Sequence, residues 1–146
     1  MFEKIAVVKP QLKQYIIENP SIYPIRSAKA LLDKPKIARI LKKLASKEMV
    51  NIPSLHYQAL YLNVLENYAY FTQGLPAIKF ISHNYHNGLL ELGIERTFKA
   101  LQSYRLEHPV EHLEPDKVPV KLARWTYALF TAALFYGLGQ VEAIYK

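Results

Sequence analysis

Two histidines three residues apart, His83 and His86 in the stretch SHNYHNGLL, are the first candidates for chemistry. Imidazoles at that spacing can hold zinc or nickel loosely. No third imidazole and no carboxylate stands near them in the sequence, so they form a weak ligand pair rather than a site. His56 falls in a helical stretch, as a packed or surface residue. His108 and His112 lie on either side of Pro109 in the polar segment EHPVEHLEPDKVP, residues 107–119. The chain has no cysteine, which excludes a disulfide framework, a thiolate zinc site and a cysteine nucleophile. Its five glycines never fall in the spacing of a P-loop or a dinucleotide fingerprint, so these residues encode no nucleotide-driven motor. No nucleophile, base and acid stand together.

The second candidate chemistry is electrostatic. Net charge is +7, and the whole excess sits in residues 1–50, which hold 11 Lys and Arg against 4 Asp and Glu. A basic segment on a neutral body can contact nucleic acid or an acidic partner. Lys34, Lys36, Arg39, Lys42 and Lys43 are the candidate DNA-contacting residues. The competing reading is a lysine-rich helix face that simply stays in water. The chain also has 11 tyrosines, with Tyr57, Tyr61, Tyr68 and Tyr70 crowded together. Tyrosines among basic residues stack on single-stranded bases. Here the basic residues are elsewhere, which favours rings in the core with hydroxyls at its rim.

The elements that must position these residues are helical. Five helices are expected and no strand, giving an all-α, single domain: an N-terminal helix and loop over residues 1–22 and a helical domain over 23–146. Pro10 to Glu18 forms a short helix ended by Asn19-Pro20. Ser27 caps the element SAKALL. From Asp33 and Pro35 a helix runs with Ile37, Ile40, Leu41 and Leu44 on one buried face. The third, from about Pro53 to Phe71, is apolar almost all round and should be central. Gly74 and Pro76 end it. The fourth begins near Asn87 or Gly88, with Leu90, Ile94, Phe98 and Leu101 as its stripe. The last runs from about Val120 to Leu138. Its segment YALFTAALFYGLG has thirteen residues without charge, too short to span a bilayer, so a buried helix and no membrane contact are expected. The N-terminus has no apolar stretch long enough for a secretory signal, and with the absence of cysteine this points to the cytoplasm.

Two segments, LPAIKFISHNYHNGLLELGIERTFKAL (75–101) and RWTYALFTAALFYGLGQV (124–141), resemble the TraI-like helicase domain of MobH-class conjugative relaxases, an HD-type metal phosphohydrolase fold. Leu75-Pro76-Ala77, the loop of His83 and His86, Gly88-Leu89-Leu90, Arg124-Trp125 and Thr131-Ala132-Ala133-Leu134 follow the family's order. YPIRSAKALL (23–32) and LENYAYFTQGLPA (65–77) extend the resemblance to roughly residues 20–146. It implies an HD-like helical bundle.

The departures carry as much information. The resemblance places a first metal-binding histidine at Leu92, the His-Asp pair at Tyr136-Gly137, and the following lysine at Gln140. Leucine and glycine side chains cannot ligate a metal, and neutral tyrosine is a poor substitute for histidine. The helix bearing the remaining aspartate would lie beyond Lys146, so a fragment or truncated paralogue is one expectation. The sequence thus reads as a degenerate HD fold without HD catalysis, metal or cofactor, binding DNA or a conjugation protein. A fragment of a metal-dependent enzyme completed by residues outside the chain, and an interaction module unconnected with DNA, are the alternatives. The apolar residues Trp125, Leu129, Phe130, Leu134 and Phe135 also point to a homodimer through the last two helices.

Overall fold

A computed structural model describes residues 25–77, 83 and 85–138. Among these the secondary structure is helix and turn, with no strand. The expected helix Pro10 to Glu18 lies outside the described residues, as do Gly139 and Gln140.

Helix α1 (Ala28–Leu32) is capped by Ser27, whose hydroxyl accepts from the Ala30 N–H at 3.1 Å. Helix α2 (Pro35–Leu44) starts on proline, whose fixed φ and missing N–H cost nothing in a first turn. It buries Ile37 and Leu44 and half-buries Ile40 and Leu41, the expected stripe. Helix α3 (Ser54–His56) runs straight into a π-helical stretch (Tyr57–Leu62) and then α4 (Asn63–Thr72). In the widened stretch the Asn63 N–H reaches back to the Gln58 carbonyl, and the rings of Tyr57 and Tyr61 stack at 5.5 Å. This long element is not buried all round. Tyr61, Leu65, Tyr68 and Ala69 face the core, whereas Leu55, Leu60, Tyr70 and Phe71 face solvent. The sequence reading erred there because four aromatics and several leucines hide the one-sided pattern. Tyr61 and Tyr68 are core rings, as expected, and Tyr70 is exposed.

Helix α5 (Gly88–Glu107) carries the central stripe Leu90, Ile94 and Leu101, and its most extensive partner is α6 (Val120–Phe135). Two contacts fix α5. Gly93 lies against the Tyr68 hydroxyl so closely that a Cβ there would overlap it. The hydroxyl in turn donates to the Leu89 carbonyl at 3.2 Å. Burial pushes the Tyr68 phenol up to about 12, keeping it a neutral donor. At the other end, buried Arg105 donates to the Met49 carbonyl at 2.5 Å and to the Thr126 hydroxyl at 2.7 Å. One guanidinium therefore joins the 45–53 turn, the end of α5 and the start of α6. Beside it, Asn51 adopts φ 45° and donates to the carbonyls of Val110 and Leu113 at 2.8 and 3.1 Å. Helix α6 ends at Phe135, short of the expected Leu138, because the chain turns through Gly137 at φ 90°.

The Gly93 contact has a signature that helix propensity cannot mimic. Alanine in place of an interior helical glycine normally stabilises by about 1 kcal/mol. Here Gly93→Ala should instead destabilise by roughly 1–3 kcal/mol, the cost of overpacking. Adding Tyr68→Phe removes the clashing oxygen, so the double variant should recover part of the loss in urea denaturation. Additive losses would contradict the close approach.

Candidate functional site

The motifs that stand apart in sequence close into one knot at the N-terminus of α5. Gly74 takes φ 81° and its N–H donates to the Asn87 side-chain oxygen at 2.6 Å. The Leu89 N–H donates to the Leu75 carbonyl at 3.0 Å, and the Ala77 N–H to the His83 carbonyl at 3.1 Å. Asn87, in the left-handed region at φ 65°, turns the chain into α5. Gly88 follows because the His83 carbonyl fills the space a Cβ would need. The leucine-proline-alanine turn, the histidine loop and the glycine-leucine-leucine turn are thus mutually hydrogen-bonded.

A charged cluster stands on this knot. His83 Nε2 lies 3.0 Å from Glu95 Oε2. Lys36 reaches across from α2 to both carboxylates, at 2.6 Å from Glu95 Oε1 and 3.3 Å from Glu91 Oε2. The Tyr85 hydroxyl donates to Glu91. The hydrogen bond to Glu95 is the main cause that raises the Lys36 pKa, so its ammonium is permanent. Desolvation pushes the Glu95 carboxyl up, but Lys36 and His83 together bring it below the ordinary carboxylate range.

This arrangement revises the reading of the histidines. A carboxylate does stand beside His83, supplied by Glu95 twelve residues downstream. His86 serves a different neighbour, with its ring against Gly74. Burial first, then the charges of Lys34 and Arg26, pull its pKa below the ordinary imidazole value. Among the described residues no three histidine, cysteine or acidic side chains are grouped to hold a metal. His56, His108 and His112 are exposed, and the His108 ring stacks on Tyr104 at 4.4 Å. The i, i+4 pair Glu91 and Glu95, beside the histidine loop, was the one signal in the sequence that could have found this cluster.

The second set of positions, Leu92 and Tyr136-Gly137, lies on α5 and just after α6. Leu92 is half-buried and Tyr136 exposed. Arg96, one helical turn beyond Leu92, donates to the Tyr136 carbonyl at 2.6 Å, with its guanidinium 4.9 Å from the centre of the Tyr136 ring. A Cβ on Gly137 would lie 3.8 Å from the same guanidinium. This donor set does not fit a metal. It offers an alkyl group, a phenol and a fixed positive charge where a cation needs imidazole and carboxylate.

A model of the TraI_2 putative helicase family matches residues 22–143. The chain belongs to this family. No curated protein and no solved structure matches it. Within this TraI_2 chain, the candidate DNA-contacting residues divide. Arg39, Lys42 and Lys43 are exposed on one arc of α2, Lys34 is half-buried before it, and Lys36 is turned to Glu91 and Glu95. No helix among the described residues is long and apolar enough to cross a membrane.

The cluster gives the fold an acid dependence of definite sign. A carboxyl whose folded pKa is depressed stabilises above its unfolded pKa, and that stability is lost as pH falls through the folded value. Lys36 is more than half exposed, so solvent screening limits the pair to about 1 kcal/mol or less. Glu95→Gln should therefore lower the urea midpoint at pH 7 and narrow the gap to wild type as pH falls toward 3. An unchanged gap across that range would show that the ion pair contributes nothing.

Proposed function

We propose that this chain is a non-catalytic, HD-like member of its family that binds DNA without sequence preference, in the manner of an accessory module of MobH-class conjugative transfer. The observation that carries this reading is the arc of Arg39, Lys42 and Lys43 on α2. These three cations are exposed, and among the described residues none of them is in an ion pair. On a helix the three lie within about 100° of one another, opposite the buried stripe of Ile37 and Leu44. Lys34 and Arg26 extend the positive region, since both bear on the His86 imidazole. Side chains free of local carboxylates keep their full charge for phosphate contact.

The absence of catalysis in this reading rests on Arg96. The resemblance to an HD fold puts Leu92 and Tyr136-Gly137 at the ligand positions. A guanidinium bound to the Tyr136 carbonyl supplies positive charge there and would repel a divalent ion.

Binding to labelled DNA should be weak, with a dissociation constant of about 1–100 µM near physiological salt, and salt-dependent. Three phosphate contacts give a log–log salt slope of about −2.7, or roughly a fortyfold loss between 50 and 200 mM salt. Replacing Arg39, Lys42 and Lys43 together by glutamate should abolish binding. Lys36→Met should change it less than about twofold, because that ammonium is held by two carboxylates. Equal losses from the two variants would defeat the proposed surface.

The non-catalytic part is tested separately. Dialysed protein should carry no stoichiometric metal and should not hydrolyse a generic phosphodiester with added manganese. Manganese-dependent turnover above a heat-treated control would overturn it.

A further inference from the structure

Helix α6 is two-sided. Thr126, Phe130, Ala133 and Leu134 are buried against the rest of the molecule. Of the five apolar residues that pointed to a homodimer in the sequence, Phe130 and Leu134 are buried, Leu129 is half-buried, and Trp125 and Phe135 are exposed. The opposite half of the helix carries Lys121, Arg124, Trp125, Ala128, Ala132 and Phe135, all exposed, with Tyr136 just beyond. Trp125 is 58% exposed, Phe135 43% and Tyr136 67%. Two alanines at the middle of this face leave the backbone open to close approach, and bulky aromatics stand at both ends.

The pattern is self-complementary. Reversed about position 130, Ala128 falls opposite Ala132, Trp125 opposite Phe135, and Arg124 opposite Tyr136. Small meets small at the centre and ring meets ring on either side. An isologous dimer has this relation, each residue meeting a different one in the copy and the reverse.

Charge supports the same pairing. The first turn of α6 holds Lys121 and no acidic residue, with Arg124 immediately after, and its last turn holds no basic residue. The start of α6 is mismatched to the helix's own dipole, which is positive there, while at its other end Arg96 of α5 already donates to the Tyr136 carbonyl. An antiparallel second copy keeps Lys121 and Arg124 of the two chains at opposite ends of the interface. Parallel pairing would place these cations against one another.

Room for the aromatic ends exists on both flanks of α6. A cavity of about 470 Å³ opens between α3, the 3₁₀ turn Pro115–Lys117 and α6, with Arg124 and Ala128 on its wall. Another of about 500 Å³ lies on the other flank, between Tyr104, His108 and Trp125. Reversal about position 130 delivers Phe135 and Tyr136 of the second copy to the level of residues 124 and 125, where both cavities open.

We propose that α6 is a homodimerisation helix that pairs with a second copy of this chain, antiparallel and centred on Ala128 and Ala132. The dimer is independent of the proposed DNA binding, which involves α2.

The absence of cysteine makes the register directly readable. In the full chain, Ala128→Cys mixed with Ala132→Cys should give an oxidised dimer of about twice 16.9 kDa. Neither variant alone should do so efficiently. Paired antiparallel, identical positions at 128 are offset by about 6 Å along the axis in addition to the interhelical gap, beyond disulfide reach. Fluorescence of Trp125, the single tryptophan, should shift to the blue as concentration rises through the dimerisation range. Ala132→Glu, at an exposed site, should give a monomer of unchanged helical circular dichroism. A monomeric mass for wild type at 100 µM, or cross-linking of Ala128→Cys with itself in preference to the mixture, would overturn the proposal.

Discussion

The approach of α4 to α5 at Tyr68 and Gly93 is the constraint on which the rest of the described structure hangs. A side chain at position 93 would push the two helices apart. The Tyr68 hydroxyl would then lose the Leu89 carbonyl, in the first turn of α5. That carbonyl belongs to the same residue whose N–H is held by Leu75. One missing methyl group therefore sets where α5 begins relative to the turn that ends α4. The histidine loop, Glu91 and Glu95 all inherit their places from it.

Arg105 does the matching work at the far end of α5. It is a buried cation whose hydrogen-bond partners among the described residues include no carboxylate, and burial pulls its pKa down. Carbonyl and hydroxyl oxygens solvate it instead. A charge held by neutral dipoles loses most of that solvation if any of the three segments drifts, so the contact enforces geometry more than it adds stability. Two close contacts, one at each end of α5, thus hold α2, α4 and α6 around a single axis.

The surface that results separates two kinds of character. Helix α2 presents cations that, apart from Lys36, pair with no carboxylate among the described residues. Helix α6 presents a face of alanines and aromatic rings, with the cations Lys121 and Arg124 at its start. Phosphate attraction is long-ranged and screened by salt, while apolar burial is short-ranged and nearly salt-independent. Placing the two on different helices lets each act without the other, whichever partner occupies it.

Helix boundaries, turns and the one-sided pattern of α2 were legible in the chain because they depend on local terms. Pro35 and Ser27 set starts, Gly74 and Gly137 supply positive φ, and the spacing of Ile37 and Leu44 marks a face. The family resemblance was equally readable, since it rests on motif order. What the sequence alone left undetermined was every relation between distant residues. It put no carboxylate near His83, yet Glu95 lies within hydrogen-bond reach. It grouped Lys36 with the DNA-contacting lysines, yet two glutamates on another helix hold that ammonium. It marked Tyr136-Gly137 by what was missing, and only the fold supplied Arg96 as what stands there. Local propensity acts over three or four residues along the chain, whereas pairing of charges and closure of cavities depend on distances that packing alone sets.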